Sequence, residues 1–276
     1  MRQCNNFKFL IINMRIALAQ FLPSSGSIDS NLSLIAEFAG ESAKLGAQLL
    51  CLPELCTTGF AWSQLDELLL QSQSSQDKIS NLAQQNEIAI VGSFIARNSS
   101  GKPTNSFIYY ESDGSVLVQY NKIHLFRQMG EDQHLEAGAA VLTAQGLVAH
   151  IGCSICYDLR FPELFRKCAL AGAELQILPA AFPHPRLSHW RALLQARAME
   201  NQNFIIATNQ CGTAGAEHSA QGTHYCGHSM VVHPSGEILF EAGEESELGI
   251  VDLDLGDIQR VREAMHCLRD LRADLY

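Results

Sequence analysis

The sequence lacks an excess of positive charge, a long apolar run and a low-complexity linker. Its 276 residues contain 19 Lys and Arg against 29 Asp and Glu, so a surface that follows a nucleic-acid phosphate backbone is not expected. No segment approaches the roughly 18 apolar residues in succession that a membrane span needs. The chain is long enough to bury a large core, and no linker divides it into separate domains. We therefore expect a single cytoplasmic domain whose partners are neither nucleic acids nor membranes.

The nine cysteines are an odd number in a chain too long to need disulfide staples. They are scattered through apolar segments such as "LLCLPEL" and "KCALAGAE". We expect reduced thiols in a cytosolic setting, most of them acting as small core residues.

Residues 1–13 precede the first predicted strand, "RIALAQF". The apolar run at residues 9–12 is too short for the core of a signal peptide, and the polar residues Asn13 and Arg15 prevent its extension. Met14 stands directly before the strand. We therefore expect residues 1–13 to be an extension and residues 14–276 to form the domain.

Strand and helix signals alternate along the chain. "AQLLCLP" and "LQILPAAF" are short and continuously apolar, as expected for strands of a sheet that is covered on both faces. "PELFRKCALAGAE" is a predicted helix with Pro162 near its first turn. Turn clusters such as "NSSGKPTN" and "ESDGS" indicate hairpins, and "HYCGHSMVVHPSGEILFEA" is a predicted hairpin that turns at residues 234–236. The mixture predicts an α/β fold with mixed sheets, in which each half of the chain supplies one sheet and helices cover the outside.

Cys153 and Cys156 lie three positions apart, which is also the spacing of a redox pair. A thioredoxin-type pair opens a helix directly after a strand, whereas here alternation puts Cys153 on an apolar strand face and Cys156 at the start of a polar turn. A zinc site needs a second ligand pair, and Cys51 and Cys56 are too widely separated to supply it. The remaining interpretation is that one of the two cysteines is a nucleophile and the other is a buried spectator, a residue without a chemical role.

A second metal candidate is "HYCGH", in which His224, Cys226 and His228 share one face of a predicted strand. An ordinary sheet face near the mouth of a site explains the same residues and is the favoured alternative. Two further motifs, a phosphate-binding loop and the nucleophile elbow of serine hydrolases, are absent from the sequence. "GKPT" has Pro103 where a phosphate loop needs Ser or Thr, and there is no Gly-x-Ser-x-Gly elbow of a serine hydrolase.

Three loops each follow a predicted strand: "LCLPELCTTGF" with Glu54, "YNKIHLFR" with Lys122 and "CSICYDLRFPE" with Cys156. In a layered α/β fold, strand ends are where a site assembles. A nucleophilic thiol needs a base or a positive neighbour, and a carboxylate with an ammonium supplies both. Taken singly, Glu54 also fits a turn, Lys122 a surface charge and Cys156 a core position, and composition alone does not decide.

The segments "LPEL", "YNKIHLF" and "CYDLRFPEL" resemble, in order and spacing, the three signature loops of the nitrilase superfamily of carbon–nitrogen hydrolases. The resemblance continues through "HWRALLQARAMENQNFIIATNQCG" and "GHSMVVHPSGEIL" to the terminal "DLRADLY", and so covers residues 14–276. It implies a four-layer αββα sandwich of two mixed sheets. It also implies a homodimer, paired through the helix after the cysteine and the C-terminal region, and neither a metal nor an organic cofactor.

The same resemblance implies the chemical roles. Glu54 would be the general base, Lys122 the oxyanion-stabilising lysine and Cys156 the nucleophile, with the backbone N–H of Tyr157 as a second oxyanion donor. Cys153 would then be the spectator.

The family also has a second glutamate seven residues before a glycine. Counted back from Gly138, that position is Glu131, although Asp132 and Glu136 lie close by.

The expected substrate is a small amide. Arg160 can grip a carboxylate through two hydrogen bonds, or it can form a structural ion pair with Asp158, Glu163 or another local carboxylate. The segments "HLFRQMGEDQHLEAG" and "PHPRLSHW" look most like a bacterial omega-amidase branch. That resemblance implies that Arg160 and the backbone near Phe182 bind the distal carboxylate of a 2-oxo-dicarboxylic acid monoamide. The loop from Pro183 to Arg186 departs from that branch. The alternatives are a deaminated-glutathione, N-carbamoyl or aliphatic amidase, or a non-catalytic binding protein on the same scaffold.

Overall fold

The computed structural model describes residues 13–215, 222–272 and 274–275. Two six-stranded mixed sheets pack face to face, and helices cover their outer faces. The predicted αββα sandwich is therefore confirmed. In the described ranges, no helix combines the length and the apolarity that a membrane crossing requires.

The first sheet comes mainly from the N-terminal half of the chain. Its strands are β1 (Asn13–Gln20), β2 (Leu49–Cys51), β3 (Ala89–Arg97), β4 (Pro103–Tyr110), β5 (Val116–Asn121) and β14 (Glu247–Asp254). Their order is β14-β1-β2-β3-β4-β5, with β1, β2 and β3 parallel and the outer strands antiparallel. Helices α1 (Ile28–Lys44) and α2 (Leu65–Asn86) connect the parallel strands, as a crossover connection requires.

The second sheet repeats this plan. Its strands are β6 (Thr143–Gln145), β7 (His150–Cys153), β8 (Leu175–Ala180), β9 (Phe204–Asn209), β12 (Met230–Val232) and β13 (Ile238–Glu241). Their order is β13-β12-β9-β8-β7-β6, with β7, β8 and β9 parallel. Helices α4 (Pro162–Leu170) and α5 (Leu187–Asn201) make the crossovers. The remaining elements are α3 (Glu131–His134), α6 (Gly256–Ala264) and the two-stranded sheet of β10 (Cys211–Ala214) and β11 (Thr223–Cys226).

The core has two main parts: one lies between the sheets and continues under α4 and α5, and the other lies under α1 and α2. On β1, Ile16 and Leu18 belong to the layer between the sheets, whereas Ala17 and Ala19 face the helices. Both sides of the strand are buried, which explains why the central strands are continuously apolar in sequence.

Two predictions need correction or limits. β11 does not belong to the hairpin predicted from "HYCGHSMVVHPSGEILFEA": it pairs with β10, and only β12 and β13 form the hairpin that turns before Glu237. Of the predicted extension at residues 1–13, residues 1–12 lie outside the described residues, and Asn13 is the first residue of β1.

Candidate active site

Glu54, Lys122 and Cys156 meet in the interior, each on a loop that follows β2, β5 or β7. The Glu54 and Lys122 side chains are 1% and 2% exposed. The ammonium nitrogen Nζ of Lys122 lies 2.7 Å from Oε1 of Glu54. A buried ion pair of this kind loses hydration on both sides, so it persists only with further hydrogen bonds to its charged atoms.

Glu131 supplies the second counter-ion of Lys122. Its Oε1 and Oε2 lie 3.0 and 2.7 Å from Nζ, and Oε2 also accepts the backbone N–H of Phe126 at 2.7 Å. Asp132 instead lies 3.7 Å from Arg127, and Glu136 lies 3.0 Å from Lys102. Of the three neighbouring carboxylates, the structure therefore brings only Glu131 into this group.

The spacing from Glu131 to Gly138 has a steric basis. The backbone N–H of Gly138 donates to the carbonyl oxygen of Lys122 at 2.8 Å. A Cβ at this position would collide with the backbone carbonyl of Asn121. Only glycine lets this segment lie against the lysine loop.

Asn105, on β4, is a site residue that its sequence context did not reveal. Its Nδ2 donates to Oε1 of Glu54 at 2.8 Å and to Oε1 of Glu131 at 3.0 Å, and its Oδ1 accepts the hydroxyl of Ser93 at 2.7 Å. The Ser93 hydroxyl also accepts the N–H of Leu55, one residue beyond Glu54. Asn105 therefore fixes the spacing of the two carboxylates around Lys122.

Cys156 opens a 3₁₀ turn at residues 156–160 with φ of +43°. Leu55, directly after Glu54, has a similar φ of +44°. Left-handed backbone is unfavourable for residues with a Cβ and is held only where the surroundings impose it. Two such positions beside one ion cluster make it a candidate functional site.

The electrostatics of the cluster oppose a resting thiolate. Burial raises the pKa of the Cys156 thiol, and the Glu54 carboxylate adds to the shift, while Lys122 and the backbone N–H of Ala181 oppose it. Burial also raises the pKa of Glu54 above 4.5, with Lys122 opposing and Glu131 adding. Burial alone would lower the pKa of Lys122, but Glu131 and Glu54 outweigh it and raise that pKa. A positive lysine between two carboxylates already leaves one net negative charge, so a thiolate would be a second.

Asp158 links the loop that carries Cys156 to the loop that carries Lys122. Its Oδ2 accepts the N–H of Ile155 and the hydroxyl of Tyr120, and its Oδ1 lies 2.7 Å from Nδ1 of His124. The His124 ring stacks on Phe161 with 3.6 Å between the ring centroids. These contacts hold the segments on either side of Lys122 and Cys156 at a fixed separation.

A narrow cleft opens over Cys156. Its walls are formed by Phe126, Cys156, Tyr157, Arg160, Ala181, Phe182, Pro183 and Arg186. Tyr157, the residue after Cys156, is one of these wall residues. The cleft contains two arginines and no carboxylate among these residues.

Arg160 does not form a structural ion pair with Asp158 or Glu163. Within the described ranges, no carboxylate oxygen lies within 4.0 Å of its guanidinium, and Asp158 is bound by other groups. The guanidinium instead lies over the Phe182 ring, 5.3 Å from its centroid, and 3.5 Å from Nδ1 of His189. The guanidinium of Arg186 makes one long hydrogen bond within the described residues, to Oε1 of Gln128 at 3.4 Å. Both cations face the cleft without a counter-ion from the described residues.

Phe182 is buried, and its backbone is fixed by Asn209. The N–H of Phe182 donates to Oδ1 of Asn209 at 2.6 Å, and its carbonyl accepts the N–H of Cys226 at 3.1 Å. These bonds fix the backbone position of the residue whose ring lies beneath the Arg160 guanidinium.

Cys153 lies in the layer between the sheets and is a free thiol, as is Cys156. The "HYCGH" residues are not brought together: Cys226 bonds to the Phe182 carbonyl, and His228 lies 2.9 Å from Glu241. His224 stacks instead on His184 near Glu244, with ligand atoms within 4.8 Å of one another at the surface.

A model of the carbon–nitrogen hydrolase family matches residues 15–263. The chain belongs to the carbon–nitrogen hydrolase family. It is 35% identical over 269 residues to the 2-oxoglutaramate amidase of Bacillus subtilis (strain 168), covering 95% of this chain and 98% of that protein. It is 32% identical over 272 residues to omega-amidase NIT2 of Mus musculus, covering 95% and 96%.

The fold is shared with solved amidases. A mutant of the amidase from Nesterenkonia sp. AN1, solved with the acetamide moiety of fluoroacetamide covalently added at its active-site cysteine, superposes with a TM-score of 0.84. The two chains are 30% identical, and 95% of each is covered. The nitrilase-superfamily resemblance is therefore confirmed.

Proposed function

We propose that this protein is a cysteine-dependent amidase that releases ammonia from a short amide carrying a carboxylate. The observation that carries the proposal is the buried group of Glu54, Lys122 and Glu131 directly beside Cys156, beneath a cleft whose two arginines have no counter-ion among the described residues. The names of the amidase relatives point to the same reaction class.

The acylation half follows from the contacts. Glu54 takes the thiol proton as Sγ of Cys156 attacks the amide carbon, so the negative charge passes from the Glu54 carboxylate to the carbonyl oxygen and the net charge of the group does not change. Lys122 Nζ and the Tyr157 N–H donate to this oxyanion, and one such donor typically stabilises the transition state by about 3 to 4 kcal/mol. Protonated Glu54 then gives its proton to the amide nitrogen, the C–N bond breaks and ammonia leaves.

The second half hydrolyses the thioester. Glu54, again ionised, takes a proton from water as the water oxygen attacks the acyl carbon, and the same donors bind the second oxyanion. The C–S bond breaks, sulfur regains the proton, and the acid product leaves. Glu131 and Asn105 act as positioning residues, because they hold Lys122 and Glu54 without facing the thiol. No step calls for a metal or an organic cofactor.

The substrate class rests on Arg160. Its guanidinium lies over the Phe182 ring and has no carboxylate partner in the described part of the chain, which suits a bidentate bond to the distal carboxylate of a short substrate. The Bacillus subtilis relative is named for 2-oxoglutaramate, a monoamide of this shape. We therefore infer that 2-oxoglutaramate or a similar dicarboxylic monoamide is the substrate.

The quaternary state and cell compartment are part of the same proposal. We infer a homodimer through α4 and the C-terminal region, with residues 14–276 as the catalytic domain. The described cysteines are unpaired, and all of them except Cys267 are buried, which suits a reducing cytoplasm.

The nucleophile is tested with two cysteine variants. Cys156→Ala should abolish ammonia release, because no other described thiol adjoins Glu54. Cys153→Ala should keep most of it, because that thiol is a core group. Equal loss in both variants, with both folded by circular dichroism, would contradict the assignment.

The carboxylate anchor is tested with Arg160→Lys. An ammonium cannot reproduce the planar two-point contact, so kcat/KM for 2-oxoglutaramate should fall by about 30-fold or more. For a neutral short amide such as propionamide it should fall much less. The ratio of the two kcat/KM values cancels a general loss of active protein. An unchanged ratio would remove the anchor and leave an amidase of other preference.

A further inference from the structure

Tyr225 lies next to the candidate site, behind the cleft residues Ala181 and Pro183, on a strand outside both main sheets. It lies on β11, is fully buried, and its backbone bridges to Pro183 at the cleft. Its ring packs in a cluster with Leu55 and Ala181. Leu55 directly follows Glu54, and the Ala181 N–H lies toward the Cys156 sulfur. The Tyr225 side chain is thereby placed between the base loop and the nucleophile.

The Tyr225 hydroxyl has no hydrogen-bond partner in the part of the chain that the structure describes. Burying a hydroxyl without a partner costs free energy, and most buried polar groups are paired. Burial raises the pKa of Tyr225, and the nearby Glu54 and Cys156 add to the shift while Lys122 opposes it. The hydroxyl therefore keeps its proton and offers a neutral donor and acceptor beside the reacting groups.

We propose that Tyr225 is a substrate-binding residue whose hydroxyl hydrogen-bonds to the reacting amide of the bound substrate. The proposal rests on the proposed amidase function and adds a residue to it. A phenylalanine would make the same ring contacts with Leu55 and Phe60 and would bury no unpaired oxygen. Packing alone would therefore favour phenylalanine at this position at least as much as tyrosine. The hydroxyl gains a hydrogen-bond partner only when an amide substrate binds.

Tyr110 provides a matched control. Its hydroxyl is also buried and without a partner in the described ranges, but it lies in the layer under α1 and α2, against Phe94. Removing either hydroxyl should leave the melting temperature unchanged or higher, because an unsatisfied buried group is deleted. Only one of the two removals should affect turnover.

The experiment compares Tyr225→Phe and Tyr110→Phe with wild type, using 2-oxoglutaramate and propionamide and measuring ammonia release and thermal unfolding. Tyr225→Phe should lower kcat/KM by about tenfold or more on both substrates, because the contact is to the amide that they share. It should do so without loss of thermal stability, and Tyr110→Phe should match wild type in kcat/KM.

The outcomes separate the two proposals. An active wild type with an equally active Tyr225→Phe overturns the role of Tyr225 and leaves the amidase function standing. A loss of activity that accompanies a lower melting temperature also overturns it, because the hydroxyl would then be a structural group. A wild type that releases no ammonia from any amide overturns the proposed function and this inference together.

Discussion

At the scale of single residues, the behaviour of Glu54 is set by burial and by two neighbours of opposite sign. Burial raises its pKa above 4.5, Lys122 opposes the shift and Glu131 adds to it. Only the ionised carboxylate can take the Cys156 proton. Activity should therefore be lost as pH falls through this raised pKa, at a higher pH than an ordinary glutamate would give.

The measurement is the pH profile of kcat/KM, which reports groups of the free enzyme. The midpoint of the acid limb should lie above pH 4.5. Circular dichroism over the same range separates titration of the base from unfolding. A midpoint at or below pH 4.5, with the protein still folded, would contradict Glu54 as the base.

At the scale of elements, the sequence was sufficient to predict where candidate site residues lie when a buried strand ends in a polar loop. The strands before Glu54 and Cys156 are short and apolar, and alternation along β7 puts Cys153 in the core while Cys156 begins the turn. The layered architecture followed from the alternation of such strands with helices. The residues alone left open whether Arg160 forms a structural ion pair, because the sequence does not show that Asp158 is bound by Tyr120 and His124 instead.

Asn105 shows why the rest of the site was not predictable. The run "NSSGKPTN" has turn composition, yet Thr104, Asn105 and Ser106 lie in β4 and are completely buried. Their polar groups are satisfied by one another and by residues distant in sequence: Thr104 bonds to Ser106, and Asn105 bonds to Ser93 and the two glutamates. Local propensity cannot register partners that only the assembled sheets bring near. The wrong hairpin prediction for β11 has the same cause, because the backbone of β11 pairs with β10 and with Pro183 instead.

At the scale of the whole molecule, exposed apolar side chains occur on α4 and just after α6, both of which contact the α5 region. Leu170 at the end of α4 is 59% exposed, and Met265 after α6 is 64% exposed. α4 packs on α5, and Gln202 at the end of α5 donates to the carbonyl of Met265. The proposed dimer interface would bury these side chains, as apolar groups at the centre of stable interfaces are buried.

This proposal makes a measurable prediction about mass. Light scattering should give wild-type protein about twice the 30.3 kDa of one chain. Leu170→Glu should shift the population toward the monomer, because an unpaired charge would have to be desolvated at the interface. Leu70→Glu is the matched control: Leu70 is 81% exposed but lies on α2, which packs on the other sheet. A monomeric wild type, or equal dissociation by both variants, would show that α4 does not form the interface.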